Sequence, residues 1–138
     1  MSILLDIIHK IADNKDMKTI MFTGHRDSIC SDVFLENIAL LYGDCNWIHG
    51  GAVGFDSQVE NIAIKNGIKT TIYKPNYKDN PAKIAPLIRN KEMLSVCDIV
   101  IACYDGRKQG GTYFTVKEAR KLSKKIIITQ PHHHISTQ

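Results

Sequence analysis

Short apolar runs alternate with amphipathic stretches along the chain. Thr19–Thr23 (T-I-M-F-T), Asn46–His49, Ile68–Tyr73, Asp98–Cys103 (D-I-V-I-A-C) and Lys125–Thr129 (K-I-I-I-T) are compact runs rich in apolar and β-branched residues. Each is stopped by a glycine, a proline or a polar loop. Continuous runs of this length are the pattern of strands buried on both faces. Between them the period changes to that of a helix. Ser31 or Asp32 caps a helix to about Tyr42, with Val33, Phe34, Ile38 and Leu41 inward. Phe55–Asn66 predicts a second helix with Gly67 as its C-cap, Ala85–Val96 a third, and Thr112–Ser123 a fourth. Ile3, Ile7, Ile8 and Ile11 share one face of a further helix ahead of the first strand, and 14–18 is a polar break.

Strand and helix in regular alternation predict a parallel sheet covered on both faces. The expected fold is α/β, a Rossmann-like three-layer sandwich. Its five-stranded parallel sheet runs in the order 3-2-1-4-5, with an extra N-terminal helix. We expect one domain over 1–138: helix and linker 1–17, core 18–129 and tail 130–138.

Composition narrows the class. At 138 residues, with 43% hydrophobic and 23% charged residues, the chain has enough apolar material for one core. No apolar run nears the roughly 20 residues of a membrane span, so no membrane partner is expected. Cys30, Cys45, Cys97 and Cys103 form no C-x-x-C pair, and no metal site is expected. The N-terminal stretch has no signal-peptide pattern, so the expected location is the cytoplasm of a bacterial cell, or of the host if the protein is phage-encoded. His132–His134 have no fixed mutual geometry to support a role. Charge is uneven. Residues 1–60 hold four basic residues against nine acidic ones; residues 61–138 hold fourteen against five. A basic half points to an anionic partner or to a solvated helix face.

The candidate chemistry collects after strands one, two and four, where ligands bind in open parallel sheets. These loops read Thr23-Gly24-His25-Arg26, then His49-Gly50-Gly51-Ala52-Val53-Gly54-Phe55-Asp56, then Asp105-Gly106-Arg107-Lys108-Gln109-Gly110-Gly111-Thr112. Glycines let a backbone approach a ligand, and a helix start offers free N–H groups to a phosphate. Gly110, Gly111 and Thr112 are the best phosphate turn. Arg89 offers a guanidinium to the same anion or to a ribose. Asp56 opens a helix, where it accepts from ribose hydroxyls or caps the helix. Arg26 is either a ligand contact or an exposed cation. His49 reads as a satisfied buried histidine. Tyr104, at the mouth, is the best of three tyrosines to stack on a base, ahead of Tyr73 and Tyr77. The first loop lacks G-x-G-x-x-G, which argues against an ordinary NAD oxidoreductase. No cofactor is expected.

G-H-R after strand one, H-G-G-A-x-G-x-D after strand two, A-P-L-I-R-N-K-E-M-L before strand four and G-G-T-x-x-T after it resemble the SLOG superfamily. That superfamily groups the DprA/Smf DNA-processing proteins with the LOG phosphoribohydrolases. The nearest pattern is that of the small YspA-like SLOG proteins of bacteria and phages, over roughly 18–129. The resemblance implies a Rossmann-like fold and a pocket for a nucleotide or nucleotide-derived ligand. It implies ligand contacts from Gly24 and Arg26, from Gly50, Gly51, Gly54 and Asp56, from Arg89 and Asn90, and from Gly110, Gly111 and Thr112; His25, Tyr104 and Thr115 join them as candidate contacts by their place in the same loops. It also implies a homo-oligomer, a dimer or higher.

One departure bears on activity. LOG enzymes resemble P-G-G-x-G-T-x-x-E, and Thr115 stands where that glutamate would be. Threonine is not a carboxylate base. Glu118 falls on a similar helical face to Thr115 but about 4.5 Å further along the helix axis, at 1.5 Å per residue. The leading expectation is therefore binding of a nucleotide-derived molecule in a sensor, sponge or regulatory role. One alternative is a LOG-like nucleoside 5′-monophosphate phosphoribohydrolase that cleaves the N-glycosidic bond through Arg89, Glu118 and Asp56. The other is single-stranded DNA binding through Lys117, Arg120, Lys121, Lys124 and Lys125, where aromatic interleaving is sparse.

Overall fold

The structure is a computed structural model that describes residues 3–4 and 18–134. Ile3 and Leu4 are helical; the rest of the expected N-terminal helix lies outside the described residues. In chain order the elements are β1 (Thr19–Gly24), β2 (Ser28–Ile29), α1 (Asp32–Tyr42), β3 (Asn46–His49), α2 (Phe55–Lys65), β4 (Thr70–Ile72), α3 (Ala85–Val96), β5 (Ile99–Cys103), α4 (Gly111–Lys121), β6 (Lys125–Thr129) and β7 (His133–His134).

Five strands form one parallel sheet in the order β4-β3-β1-β5-β6. This is the predicted order 3-2-1-4-5 once the short β2 is set aside. The period-2 alternation of the strands divides the core. Ile20 and Phe22 of β1, Trp47 of β3 and Ile99, Ile101 and Cys103 of β5 point to one face. There they meet Leu35 and Ile38 of α1 and Val59, Ile62 and Ala63 of α2. Met21, Ile48 and Val100 point to the other face, against Met93 and Leu94 of α3 and Ala119 of α4. Trp47 belongs to the core: its ring centroid lies 4.6 Å from that of Phe22, and Nε1 donates to the Tyr42 carbonyl at 2.9 Å. Asp98 ties the start of β5 to β1, accepting from the Thr19 N–H at 2.8 Å.

Two details differ from expectation. Val33 and Leu41 of α1 are exposed, while Leu35 and Ile38 are buried with Phe34 and Tyr42 packed beside them. This helix carries two overlapping apolar stripes, and the roll that packs it on α2 and the sheet selects the one through 35, 38 and 42. β2 and β7 form a small antiparallel pair, Ser28 opposite His134 and Ile29 opposite His133. The His132 N–H adds a bond to the Ile29 carbonyl at 2.8 Å. Two-residue strands leave no periodicity to read.

The link from β2 into α1 is pinned by one side chain. Gln58 of α2 accepts from the Cys30 N–H at 3.0 Å and donates to the Cys30 carbonyl and Asp32 Oδ1, both at 2.8 Å. No helix among the described residues is long and apolar enough to cross a membrane.

Candidate functional site

β1 lies between β3 and β5, and the chain leaves it in opposite directions. This switch point opens a crevice at the carboxyl ends of the strands. A cleft of about 450 Å³ occupies it, walled by the three strand-end loops and by α3.

After β1, Gly24, His25, Arg26 and Asp27 line the cleft. His25 turns inward. Its ring packs on Tyr104, and Nε2 lies 3.2 Å from Asp105 Oδ1. Burial, helped by the Arg107 charge, holds its pKa below the ordinary histidine value against the pull of Asp105 and Asp27. Arg26 stays exposed at the mouth.

After β3, the chain passes under the guanidinium of Arg89. Nη1 donates to the Gly50 carbonyl at 2.8 Å and to the Tyr73 carbonyl at 3.1 Å. A Cβ on Gly50 would stand 2.3 Å from Nη1, so only glycine admits this approach. Gly54 has φ of +80°, and a side chain there would run into the carbonyls of His25 and Arg26 at 2.7 and 2.6 Å. Gly51 and Gly54 shape this loop and are not part of the lining. His49 is the satisfied buried histidine expected. The Gly51 N–H donates to Nδ1 at 3.0 Å, which leaves the proton on Nε2, 2.6 Å from Glu60 Oε1.

Asp56, in the first turn of α2, borders the cleft at 6% exposure. Oδ2 accepts from the Ala52 N–H at 3.1 Å, and Oδ1 has no partner. Burial raises its pKa, opposed by the Ala52 amide, by His49 and Arg89 and, least, by the Gly50 amide.

α3 supplies the opposite wall. Pro86, Arg89, Asn90 and Met93 share one helical face, and Leu87 flanks them. Arg89 Nε donates to Asn90 Oδ1 at 2.7 Å. This bond places the amide oxygen and so turns Asn90 Nδ2 toward the start of α4, where a Cβ on Gly111 would stand 3.7 Å from it.

At α4, Gly110, Gly111 and Thr112 line the cleft. Among the described residues, Arg89 Nη2, Asn90 Nδ2 and Thr112 Oγ1 have no partner, and none of the three is sealed from solvent. Arg26 and Lys83 add two cations that form no ion pair among the described residues. Arg107 is spent otherwise. It grips Asp105 through Nε–Oδ1 at 3.0 Å and Nη2–Oδ2 at 2.6 Å, and lies 3.6 Å from Asp27. That grip holds the Asp105 carboxyl far below the ordinary carboxylate range.

Besides Gly51 and Gly54, three predicted residues lie outside the lining. Tyr104 is buried, its hydroxyl donates to the Arg107 carbonyl, and it supports the loop from beneath. Thr115 is wholly buried one turn below Thr112. Glu118 faces a groove between α3 and α4 with Lys91 and Leu122, 3.4 Å from Lys121 Nζ. Three residues on from Thr115 is about five-sixths of a helical turn, which carries Glu118 off the cleft side. Conversely, Phe22, Asp27, Ala52, Lys83, Pro86, Leu87 and Met93 are lining residues that sequence reasoning did not single out as contacts. For the α3 residues a signal existed: positions 86, 89, 90 and 93 are one helical face. No His, Cys, Asp and Glu group among the described residues is arranged to hold a metal.

No protein-family model and no curated protein matches the chain by sequence. Two solved structures are similar in fold. DNA processing protein A (DprA) from Streptococcus pneumoniae superposes with a TM-score of 0.66 at 19% identity, over 84% of this chain and 51% of that one. TM1055, a structural genomics target, superposes with a TM-score of 0.61 at 18% identity, over 80% of this chain and 72% of that one. The chain thus spans about half the length of DprA. The likeness is one of fold, and it is the Rossmann-like fold that the SLOG resemblance implies.

Proposed function

We propose that the chain is a single SLOG-like domain that binds a nucleotide or nucleotide-derived molecule in this cleft, in a sensing, sequestering or regulatory role in the cytoplasm. One observation carries the reading. Three unpaired donors, Arg89 Nη2, Asn90 Nδ2 and Thr112 Oγ1, open onto the cleft that the free amides of the α4 N-terminus also border. Donors on several sides with a helix start at one end form a phosphate site. Pro86, Leu87 and Met93 offer an apolar wall for a base. Isothermal titration with a panel of ribonucleoside 5′-monophosphates and inorganic phosphate tests it. Saturable binding lost in Arg89→Ala is expected; no binding across the panel overturns it.

The hydrolase reading now rests on Asp56. Glu118 faces elsewhere, and the other cleft carboxylate, Asp27, lies beside Arg107. Release of free base on long incubation would establish it. The similarity to a DNA-processing protein favours single-stranded DNA as a second reading, with Lys117, Arg120 and Lys121 exposed on α4. Affinity that falls steeply with salt would support it. Self-association is part of the proposal. Val33, Leu40 and Leu41 stand on one face of α1 at 68%, 85% and 61% exposure, an apolar strip that a second copy would cover. Light scattering coupled to size exclusion reads the mass directly.

A further inference from the structure

We propose that Asp56 reads a sugar hydroxyl of the ligand, so that the cleft takes ribonucleotides and rejects the analogue lacking that hydroxyl. This rests on the phosphate site proposed above and names the ligand class more closely.

The first ground is a missing partner. Buried polar atoms are nearly always hydrogen-bonded, and an unpaired buried oxygen is costly. Asp56 is nine-tenths buried, borders the cleft, and leaves Oδ1 without a donor. Oδ1 is also shielded from solvent. The carboxyl torsion of aspartate is broad, so a partial turn about Cβ–Cγ brings an oxygen toward the cleft that the residue lines.

The second ground is charge. A second phosphate at this point would meet the carboxyl. A cationic group would meet Arg89, which lies close enough to act electrostatically on Asp56, with Arg26 and Lys83 at the mouth. A neutral group that donates suits this point: its O–H donates to Asp56, and Arg89 Nη2 stays with the phosphate. A sugar hydroxyl is such a group.

The third ground is span. Asp56 follows β3, and the phosphate turn follows β5, with β1 between them. Two strand spacings of roughly 4.8 Å put these ends about 10 Å apart. A ribose 5-phosphate moiety bridges that gap with its phosphate on the turn and its ring hydroxyls on Asp56. The apolar wall of α3 is then left for the base.

The test is titration of the four ribonucleoside 5′-monophosphates beside their 2′-deoxy and 3′-deoxy analogues, with inorganic phosphate as the reference anion. The wild-type protein is expected to lose roughly 10- to 100-fold in affinity for one deoxy series, the scale of a hydrogen bond to a charged group. In Asp56→Asn, checked for fold by near-ultraviolet circular dichroism, that ratio is expected to shrink several-fold. Equal affinity for the ribo and both deoxy forms in the wild type overturns the proposal without any variant. A ratio unchanged in Asp56→Asn, or a change in base preference instead of sugar preference, also overturns it. Failure of inorganic phosphate and every nucleotide to bind overturns the phosphate site itself, and the proposal with it.

Discussion

Arg89 Nε donates to Asn90 Oδ1 at 2.7 Å, and this bond between sequence neighbours organises the cleft. It fixes the plane of the guanidinium, so that Nη1 reaches the Gly50 and Tyr73 carbonyls. It also orients the Asn90 amide, so that Nδ2 faces the start of α4. In the proposed site Arg89 therefore acts on the phosphate turn in two ways, through its free Nη2 and through its neighbour.

Replacement of Arg89 separates charge from geometry. Arg89→Lys keeps a cation but lacks the planar fork that serves Asn90 and Gly50 together. It is expected to lower unfolding free energy by about 1–3 kcal/mol, the cost of leaving buried acceptors unpaired, and to weaken phosphate binding at least tenfold. Urea denaturation and titration check the two effects. Wild-type stability in Arg89→Lys would mean that the Gly50 and Asn90 contacts contribute little.

Gly50→Ala reaches the same network from the other side. Its Cβ would stand 2.3 Å from Arg89 Nη1, so the guanidinium must move. Overpacking of this kind costs about 1–3 kcal/mol. Ligand affinity is expected to fall together with stability, although the new methyl group adds no charge. A crystal structure of the variant should show Arg89 displaced from the Tyr73 carbonyl.

Thr112→Val isolates the phosphate turn. The Thr112 hydroxyl has no partner within the described protein, so its loss should leave stability within about 0.5 kcal/mol of wild type. Inorganic phosphate should bind about 3- to 10-fold more weakly, the range of one ordinary hydrogen bond. Thermal unfolding with and without phosphate measures both. An unchanged phosphate-induced shift in Tm would place the anion elsewhere.

Asp56 governs one part of the pH dependence. Its folded pKa lies above 3.8 because burial disfavours the ionised form. Between 3.8 and that higher value the folded state binds more protons than the unfolded one, so this contribution to stability falls as pH rises. It is fully present below 3.8 and lost once pH passes the folded pKa. Asn does not ionise, so the stability of wild type relative to Asp56→Asn is expected to decline as pH rises from below 3.8 to 7. Urea titrations of both proteins across that range measure it. A difference that grows with pH would mean that Asp56 is held as a carboxylate.

Much of the candidate site was legible because its residues cluster in the chain. The Gly24–Asp27, Gly50–Asp56 and Gly110–Thr112 loops each follow a strand end, so one rule about parallel sheets collects them. The α3 face was legible only in part. Arg89 and Asn90 stand out by chemistry, whereas Pro86, Leu87 and Met93 are ordinary apolar residues until the helix turns them to the cleft. Tyr104 and Glu118 have suitable chemistry near the right place in sequence. Tyr104 is committed beneath its own loop, and Glu118 is carried round the helix.

By itself, the sequence determined the parallel α/β sheet and its strand ends, because strand and helix periods and glycine stops are local properties of a chain. It also determined which loops hold the glycines and cations. Tertiary structure alone decided which of two apolar stripes α1 buries, and that Arg107 is spent on Asp105 while Arg89 keeps a free nitrogen. It alone decided that Asp56 is left with an unpaired oxygen beside the cleft. Each of these depends on how side chains are oriented and which groups they meet once the elements pack, and that is set in three dimensions rather than by local period.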